Sequence, residues 1–254
     1  KELTYICTDK IGDRTFRLMC EQKGGSGNIK KGELLPIEFM EGFEEGELTE
    51  LLVPARDEEK TEEFRARYLS IVATAQAFGG NRAQYRQTML RIDGVGACKI
   101  YRVTKDEKRI KIYFLDSQYG IPNQSLVEEV QAIMDPIDRQ GEGEGEAAIY
   151  HVVDIMPCIA VTVAIETTII MEPGYAWEDL QQDIQETIDR YFLELAKGWE
   201  NEESITVRIL KVNAAIASVE GIVDVQETIL NGKEENLLLN SNQIPVRGVI
   251  GCRP

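Results

Sequence analysis

Apolar and polar positions follow two rhythms along this chain, and the changes of rhythm divide it. Thr4–Thr8 and Thr15–Cys20 are short β-branched and aromatic runs around the turn Ile11-Gly12-Asp13, and Leu34–Met40 reads as another strand. Residues 1–56 therefore predict a β-rich domain. After the charged boundary Asp57–Lys60 the period lengthens. Phe64, Tyr68, Leu69 and Val72, then Ala75 or Gln76, predict one apolar stripe on a helix. Glu62 and Glu63 sit at its start and Arg65 and Arg67 come later, the order the helix dipole favours. Gly79-Gly80 should end this helix, and Asn81 should cap a second one carrying Tyr85, Met89 and Ile92. Strands follow over Ala97–Val103 and Arg109–Leu115, joined by a polar turn at Thr104–Lys108. Ser125-Leu126-Val127-Glu128 reads as a capping box opening a helix that stops before Pro136. These elements define a second domain, α+β, over 57–146.

The third domain, 147–254, opens with strands over Ile149–Met156 and through the alternating Ile159, Val161, Val163, Ile165, Thr167 and Ile169. Pro173-Gly174 turns the chain. Trp177, Leu180, Ile184, Ile188, Tyr191 or Phe192, and Leu195 mark a long amphipathic helix closed by Gly198, and Ile205, Ile209, Val212 and Ile216 predict another. Ile222–Ile229 reads as a strand, Asn231-Gly232 as a hairpin turn leading back through Leu237–Leu239, and Ile244–Ile250 as a last strand that Pro245 places near an edge. Ile92-Asp93-Gly94-Val95 is echoed by Val219-Glu220-Gly221-Ile222, 127 residues later. Each string follows a helical pattern and precedes a strand, as if both needed a glycine free to take positive φ. The fold class expected is α+β: a β-rich start followed by two small α+β units of related build.

Composition narrows the function classes. The chain has 254 residues, with 28 Lys and Arg against 44 Asp and Glu, a net charge of −16. That surplus repels phosphate backbones and anionic headgroups. No basic patch offsets it, since Lys105, Lys108, Arg109 and Lys111 are interleaved with Asp106 and Glu107. Neither nucleic acid nor membrane insertion is expected. The longest apolar run, Ile155–Met171, is interrupted by Pro157 and Glu166, short of the roughly 18–20 residues a span needs. Cys7, Cys20, Cys98, Cys158 and Cys252 form no CxxC pair and read as buried, reduced thiols.

Candidate chemistry is sparse. The glycine loop Gly24–Asn28 lacks the Gly-Lys-Ser/Thr ending of a phosphate cradle and reads as a surface loop. His151, the single histidine, lies in a strand-like run without an evident nucleophile or carboxylate partner. Acid pairs such as Glu58/Glu59 and Glu142/Glu144/Glu146 are what so acidic a composition produces by chance. None follows a calcium-loop spacing. Trp177 and Trp199 bracket the long helix and read as core residues before sugar-stacking ones. No catalytic, cofactor-binding or metal-binding residue is predicted.

Read in order, the strings Leu34-Leu35-Pro36-Ile37, Leu48-Thr49-Glu50-Leu51-Leu52-Val53-Pro54, Phe64-Arg65-Ala66-Arg67-Tyr68 and Ala77-Phe78-Gly79-Gly80-Asn81 lead into Tyr85 through Gly96. Asp135-Pro136-Ile137-Asp138, Pro173-Gly174-Tyr175-Ala176-Trp177, Glu220-Gly221-Ile222-Val223-Asp224-Val225, Leu230-Asn231-Gly232 and Ile244-Pro245-Val246-Arg247-Gly248 follow. Together they resemble the phage baseplate J family of contractile tails, in its PBSX-like prophage form. Here the chain opens in what looks like the family's middle β region. The resemblance implies a structural baseplate wedge subunit, not an enzyme, made in the bacterial host cytoplasm and residing in a virion or tail-like particle. The implied partners are a second copy, other wedge proteins and, indirectly, hub and sheath proteins. No cofactor is implied. A tail-associated cell-wall hydrolase and a receptor- or sugar-binding module are the alternatives. On this reading the third domain supplies a contact surface along its last strands, with Ile222, Val223, Val225, Ile244 and Val246 as interface candidates.

Overall fold

The computed structural model describes residues 3–73, 80–101 and 108–253. Most of the turn expected at Thr104–Lys108, and the first helix's expected end at Gly79, lie outside the described residues. Helices and strands are mixed, as an α+β reading requires. Two compact units form: Lys1–Gly96 with Asp116–Gln118 and Asn123–Val153, and Ala97–Leu115 with Tyr119–Pro122 and Asp154–Pro254.

The first unit begins with two antiparallel hairpins, β1 (Tyr5–Lys10) with β2 (Phe16–Cys20) and β3 (Gly32–Leu34) with β4 (Gly46–Leu48). The strand expected to run to Met40 stops at Leu34, two residues before Pro36, which has no N–H to donate to a ladder. The Gly25 N–H donates to Asp57 Oδ1 at 2.7 Å, so this loop amide already holds a carboxylate. Helix α1 (Thr61–Ala73) forms where its period puts it, with Arg67 forked onto Glu59. Its apolar stripe, however, is not a core face: Phe64, Tyr68, Leu69 and Val72 are all more than half exposed.

Helix α2 (Arg82–Met89) is capped by Asn81, whose Oδ1 accepts the Gln84 N–H, and it buries Tyr85 and Met89. After β5 (Val95–Tyr101) and β6 (Arg109–Asp116) comes α3 (Gln124–Met134). Its cap is Asn123, not Ser125. Asn123 Oδ1 takes the Leu126 N–H at 2.8 Å while its amide donates to Leu51 O, so the carbonyl and NH2 ends of one side chain serve two segments. Strand β7 (Val152–Pro157) starts three residues later than expected, because Tyr150 turns the chain at φ +66°. His151 thus precedes the strand rather than lying in it. Asp135, 1% exposed, accepts N–H bonds from Gly141 and Val153 and so pins the base of the acidic loop.

The remaining elements are β8 (Ile159–Met171), α4 (Trp177–Gly198), β9 (Thr206–Val207), α5 (Ile209–Ala217), β10 (Ile222–Leu230), β11 (Leu237–Leu238) and β12 (Gln243–Arg253). Strand β8 is central, antiparallel to β10 and parallel to β12. Val163, Ile165 and Ile169 on its buried face meet Leu180, Ile184, Ile188 and Phe192 of α4 and Val212 and Ile216 of α5. Ile205 is not in a helix; it is buried just before β9, which pairs with β11. Leu237 therefore does not return along β10. The Asn231-Gly232 turn makes one bridge, Leu230 to Lys233, and the chain then leaves.

The internal echo is structural. Gly94 has φ +86° and Gly221 has φ +89°. The bonds Arg91 N to Thr88 O, Ile92 N to Met89 O and Val95 N to Ile92 O recur as Ser218 N to Ala215 O, Val219 N to Ile216 O and Ile222 N to Val219 O. The sheets correspond too. Gly96 lies beside Asp116 and the Tyr101 ring meets that of Tyr113, so β5 and β6 are antiparallel. Arg109 pairs with Asp154, and the Cys158 N–H reaches Phe114 O, so β7 runs parallel to β6. Both sheets therefore have a central strand followed by a helix, an antiparallel edge delivered by a helix and a glycine turn, and a parallel edge. Gly94→Ala and Gly221→Ala should each cost about 1–3 kcal/mol, since both positions combine positive φ with close neighbours. Urea unfolding with an unchanged m-value is the check.

Candidate subunit-contact surface

Both strands expected to offer contacts are edges of the β10-β8-β12 sheet. Their interface candidates divide by burial. Ile222, Val225 and Ile244 point into the core, each no more than 9% exposed, so their side chains are already occupied. Val246 is half-buried, and Val223 is 61% exposed. The sequence reading missed Val249, 78% exposed on β12. Strict alternation could not find it, because a bulge resets the count.

The bulges shape both edges. Strand β10 gains one residue between Ile222 and Asp224 and another between Gln226 and Ile229, and β12 gains one between Arg247 and Ile250. Val223 and Val249 lie within these irregularities, so each shifts outward where the ladder breaks. A bulged edge resists indiscriminate strand addition. Glu227 takes φ +50° in the second bulge. There the buried Thr167 hydroxyl bonds Gln226 O at 2.9 Å and the Thr228 hydroxyl at 2.7 Å, satisfying polar groups that the bulge would otherwise strand. Asn231 completes the seam. Its N–H donates to Ala164 O, its Oδ1 accepts the Ala164 N–H, and its Nδ2 donates to Thr162 O. Arg253 pairs with Glu166, and Arg247 with Asp189.

A second cluster braces the chain leading into β12. Lys99 Nζ donates to Glu202 O at 2.7 Å and Ser241 O at 2.9 Å, and lies 4.6 Å from the Trp199 ring centre. Trp199, wholly buried, donates from Nε1 to the same Ser241 carbonyl, and Tyr101 donates to Ser241 Oγ. Burial pulls the Lys99 ammonium below its ordinary pKa. Trp199 is thus a core residue, and no face of it is available to stack on a sugar. Cys158, 2% exposed, has its thiol pushed up to about 12 by burial. Cys98 is also buried, whereas Cys7 is exposed and Cys20 and Cys252 are intermediate, against the expectation that all five are buried.

In the first unit, Tyr85 OH lies 2.7 Å from His151 Nδ1 and accepts the Ala148 N–H, and burial raises the phenol's pKa. This links α2 to the chain before β7. Among the described residues, no three His, Cys, Asp or Glu side chains are grouped to hold a metal, and no helix is long and apolar enough to cross a membrane.

The comparison with known proteins is decided by two adjoining matches. The model of the baseplate J-like central domain matches residues 77–167, and that of the baseplate J-like protein C-terminal domain matches 163–252. The chain belongs to the baseplate J-like family. Gly94 falls in its central domain and Gly221 in its C-terminal domain, so the two echoing turns belong one to each. Among relatives, the chain is 27% identical over 235 residues to the phage-like element PBSX protein XkdT of Bacillus subtilis strain 168, covering 92% of this chain and 65% of that protein. The protein YqbT of the same strain matches with the same identity and coverage. The chain thus spans 65% of the length of these relatives. A chain of the anti-feeding prophage baseplate, solved by cryo-electron microscopy, aligns over 84% of this chain and 46% of its own, at 8% identity and a TM-score of 0.49.

Two outcomes test the cluster and the buried thiol. Lys99→Met should destabilise the fold by about 1–3 kcal/mol, because carbonyls lose a charged donor, and Lys99→Arg should not fully restore it; thermal melts measure both. The folded Cys158 pKa lies above the ordinary 9.0, so its stabilising contribution is complete below pH 9 and is lost as pH rises toward 12. At pH 8, iodoacetamide should modify Cys7 in the native chain and reach Cys158 only after denaturation, as read by peptide mass mapping.

Proposed function

We propose that this chain is a structural wedge subunit of the baseplate of a contractile phage tail or tail-like particle. It acts by contact with a second copy and with other wedge proteins, and its rearrangement helps to trigger contraction. The observation that carries this reading is the pair of adjoining baseplate J-like domain matches over residues 77–252. The relative named for the PBSX phage-like element supports the particle setting.

On this reading the C-terminal module, from about residue 147, presents the bulged edges of β10 and β12 to neighbours. Val223 and Val249 are the exposed apolar positions a partner would cover. The surrounding acidity keeps unassembled subunits apart until a complementary surface arrives.

Deleting the gene should leave tails without assembled baseplates in negative-stain micrographs, and normal contractile tails in its absence would refute the reading. Val223→Glu and Val249→Glu should lower incorporation into particles several-fold while the isolated chain keeps its melting temperature. Full incorporation of the double variant would remove these edges from the interface.

A further inference from the structure

We propose that the tip of the β3–β4 hairpin is an insertion element that seats in an apolar groove with a basic rim on a different baseplate protein. The proposal rests on the baseplate reading above and adds a surface and a partner chemistry to it. Residues 35–45 connect β3 to β4. Within them Leu35 is 79% exposed, Ile37 82%, Phe39 95% and Met40 60%. Aromatic residues and methionine are the side chains enriched at the buried centres of protein interfaces, and four large apolar groups this exposed within six residues form a patch, not scattered surface apolarity.

The tip is built to hold its shape. Phe43 donates its N–H to Met40 O at 3.2 Å, closing a turn. Its ring lies over Gly46, where an added Cβ would come within 3.1 Å of the ring edge and 3.3 Å of Leu34 Cβ. The strands below are in register, Gly32 opposite Leu48 and Leu34 opposite Gly46. Pro36 restricts the ascending limb. The base is therefore closed by Phe43, and the four apolar groups stand beyond it. A preformed element of this kind loses little conformational freedom on docking.

Charge decides the occupant. Residues 32–50 carry Glu33, Glu38, Glu41, Glu44, Glu45, Glu47 and Glu50 and no lysine or arginine. An anionic lipid surface would repel this tip, and so would the same tip on a second copy. The complement is a protein groove whose floor is apolar and whose rim is lysine and arginine. Opposite charge would steer the tip in, and desolvation of Phe39 and Ile37 would hold it there.

The test places p-benzoylphenylalanine at position 39 of the full chain, made in cells that produce the particle, and irradiates the purified particles. The expected result is an adduct with a different particle protein, at a peptide flanked by lysine or arginine. The double variant Ile37→Glu, Phe39→Glu should lose incorporation about tenfold or more with an unchanged melting temperature, the effect of removing anchors at an interface centre. An adduct to a second copy or to lipid overturns the proposal. So does the lack of any adduct in particles that blotting shows to contain the chain. Absence of the wild-type chain from purified particles is a separate result: it refutes the baseplate reading, and the proposal falls with it.

Discussion

The sheet of the second unit depends on one constraint: β8 must satisfy two neighbours running in opposite senses while burying only one face. A parallel neighbour requires a long crossover, and α4 is part of that connection, its Leu180, Ile184, Ile188 and Phe192 closing the buried face on the way. An antiparallel neighbour requires entry from the other end, which α5 and the positive φ of Gly221 provide. The strand lengths do not match perfectly, and bulges absorb the difference. The buried Thr167–Thr228 pair and the three bonds of Asn231 satisfy backbone groups that those bulges and the ladder's end would leave without partners. Polar side chains inside this seam thus support the apolar packing, since a bulge over an apolar core would strand its amides and carbonyls.

The same constraint is met in the sheet around β6 with the pieces in another order. There the helix-and-glycine module, α2 with β5, comes before the central strand; around β8 the matching module, α5 with β10, comes after it. Topology is preserved although chain order is not. What survives in sequence is the short string that performs the turn, because a positive φ and its three hydrogen bonds tolerate few residues, whereas helix and strand faces tolerate many apolar choices. The strings Ile92–Val95 and Val219–Ile222 were therefore legible, and the rest of the likeness was not.

On the proposed wedge reading, the exposed apolar residues would carry the functional information. Some are found where local geometry departs from its repeating pattern, Val223 and Val249 at bulges and Phe39 on a hairpin tip beyond Pro36, whereas the Phe64–Val72 stripe lies on a regular helix with that face exposed. Each lies in a strongly acidic chain, which favours complementary partners over self-adhesion. Lys99, set among three carbonyls and a tryptophan, is the opposite case, a charge held within the second unit and spent on holding the approach to β12.

The sequence by itself determined the local events. The period of Leu180, Ile184 and Ile188 made α4; the alternation of Val163, Ile165 and Thr167 made β8; Asn81 capped α2, and the glycines made their turns. Each is set by a few neighbouring residues whose spacing or φ allows little else. Only the tertiary structure decided which apolar faces are buried. Ile222, Val225 and Ile244 looked available and are core, whereas the apolar stripe of α1 is exposed. It also moved the α3 cap to Asn123, because Leu51 O offers a partner from a distant segment. It took Leu237 from β10 to β9, because a turn fixes only its own bridge. Burial, caps that serve two segments, and strand pairing depend on groups far apart in the chain, and no local pattern encodes them.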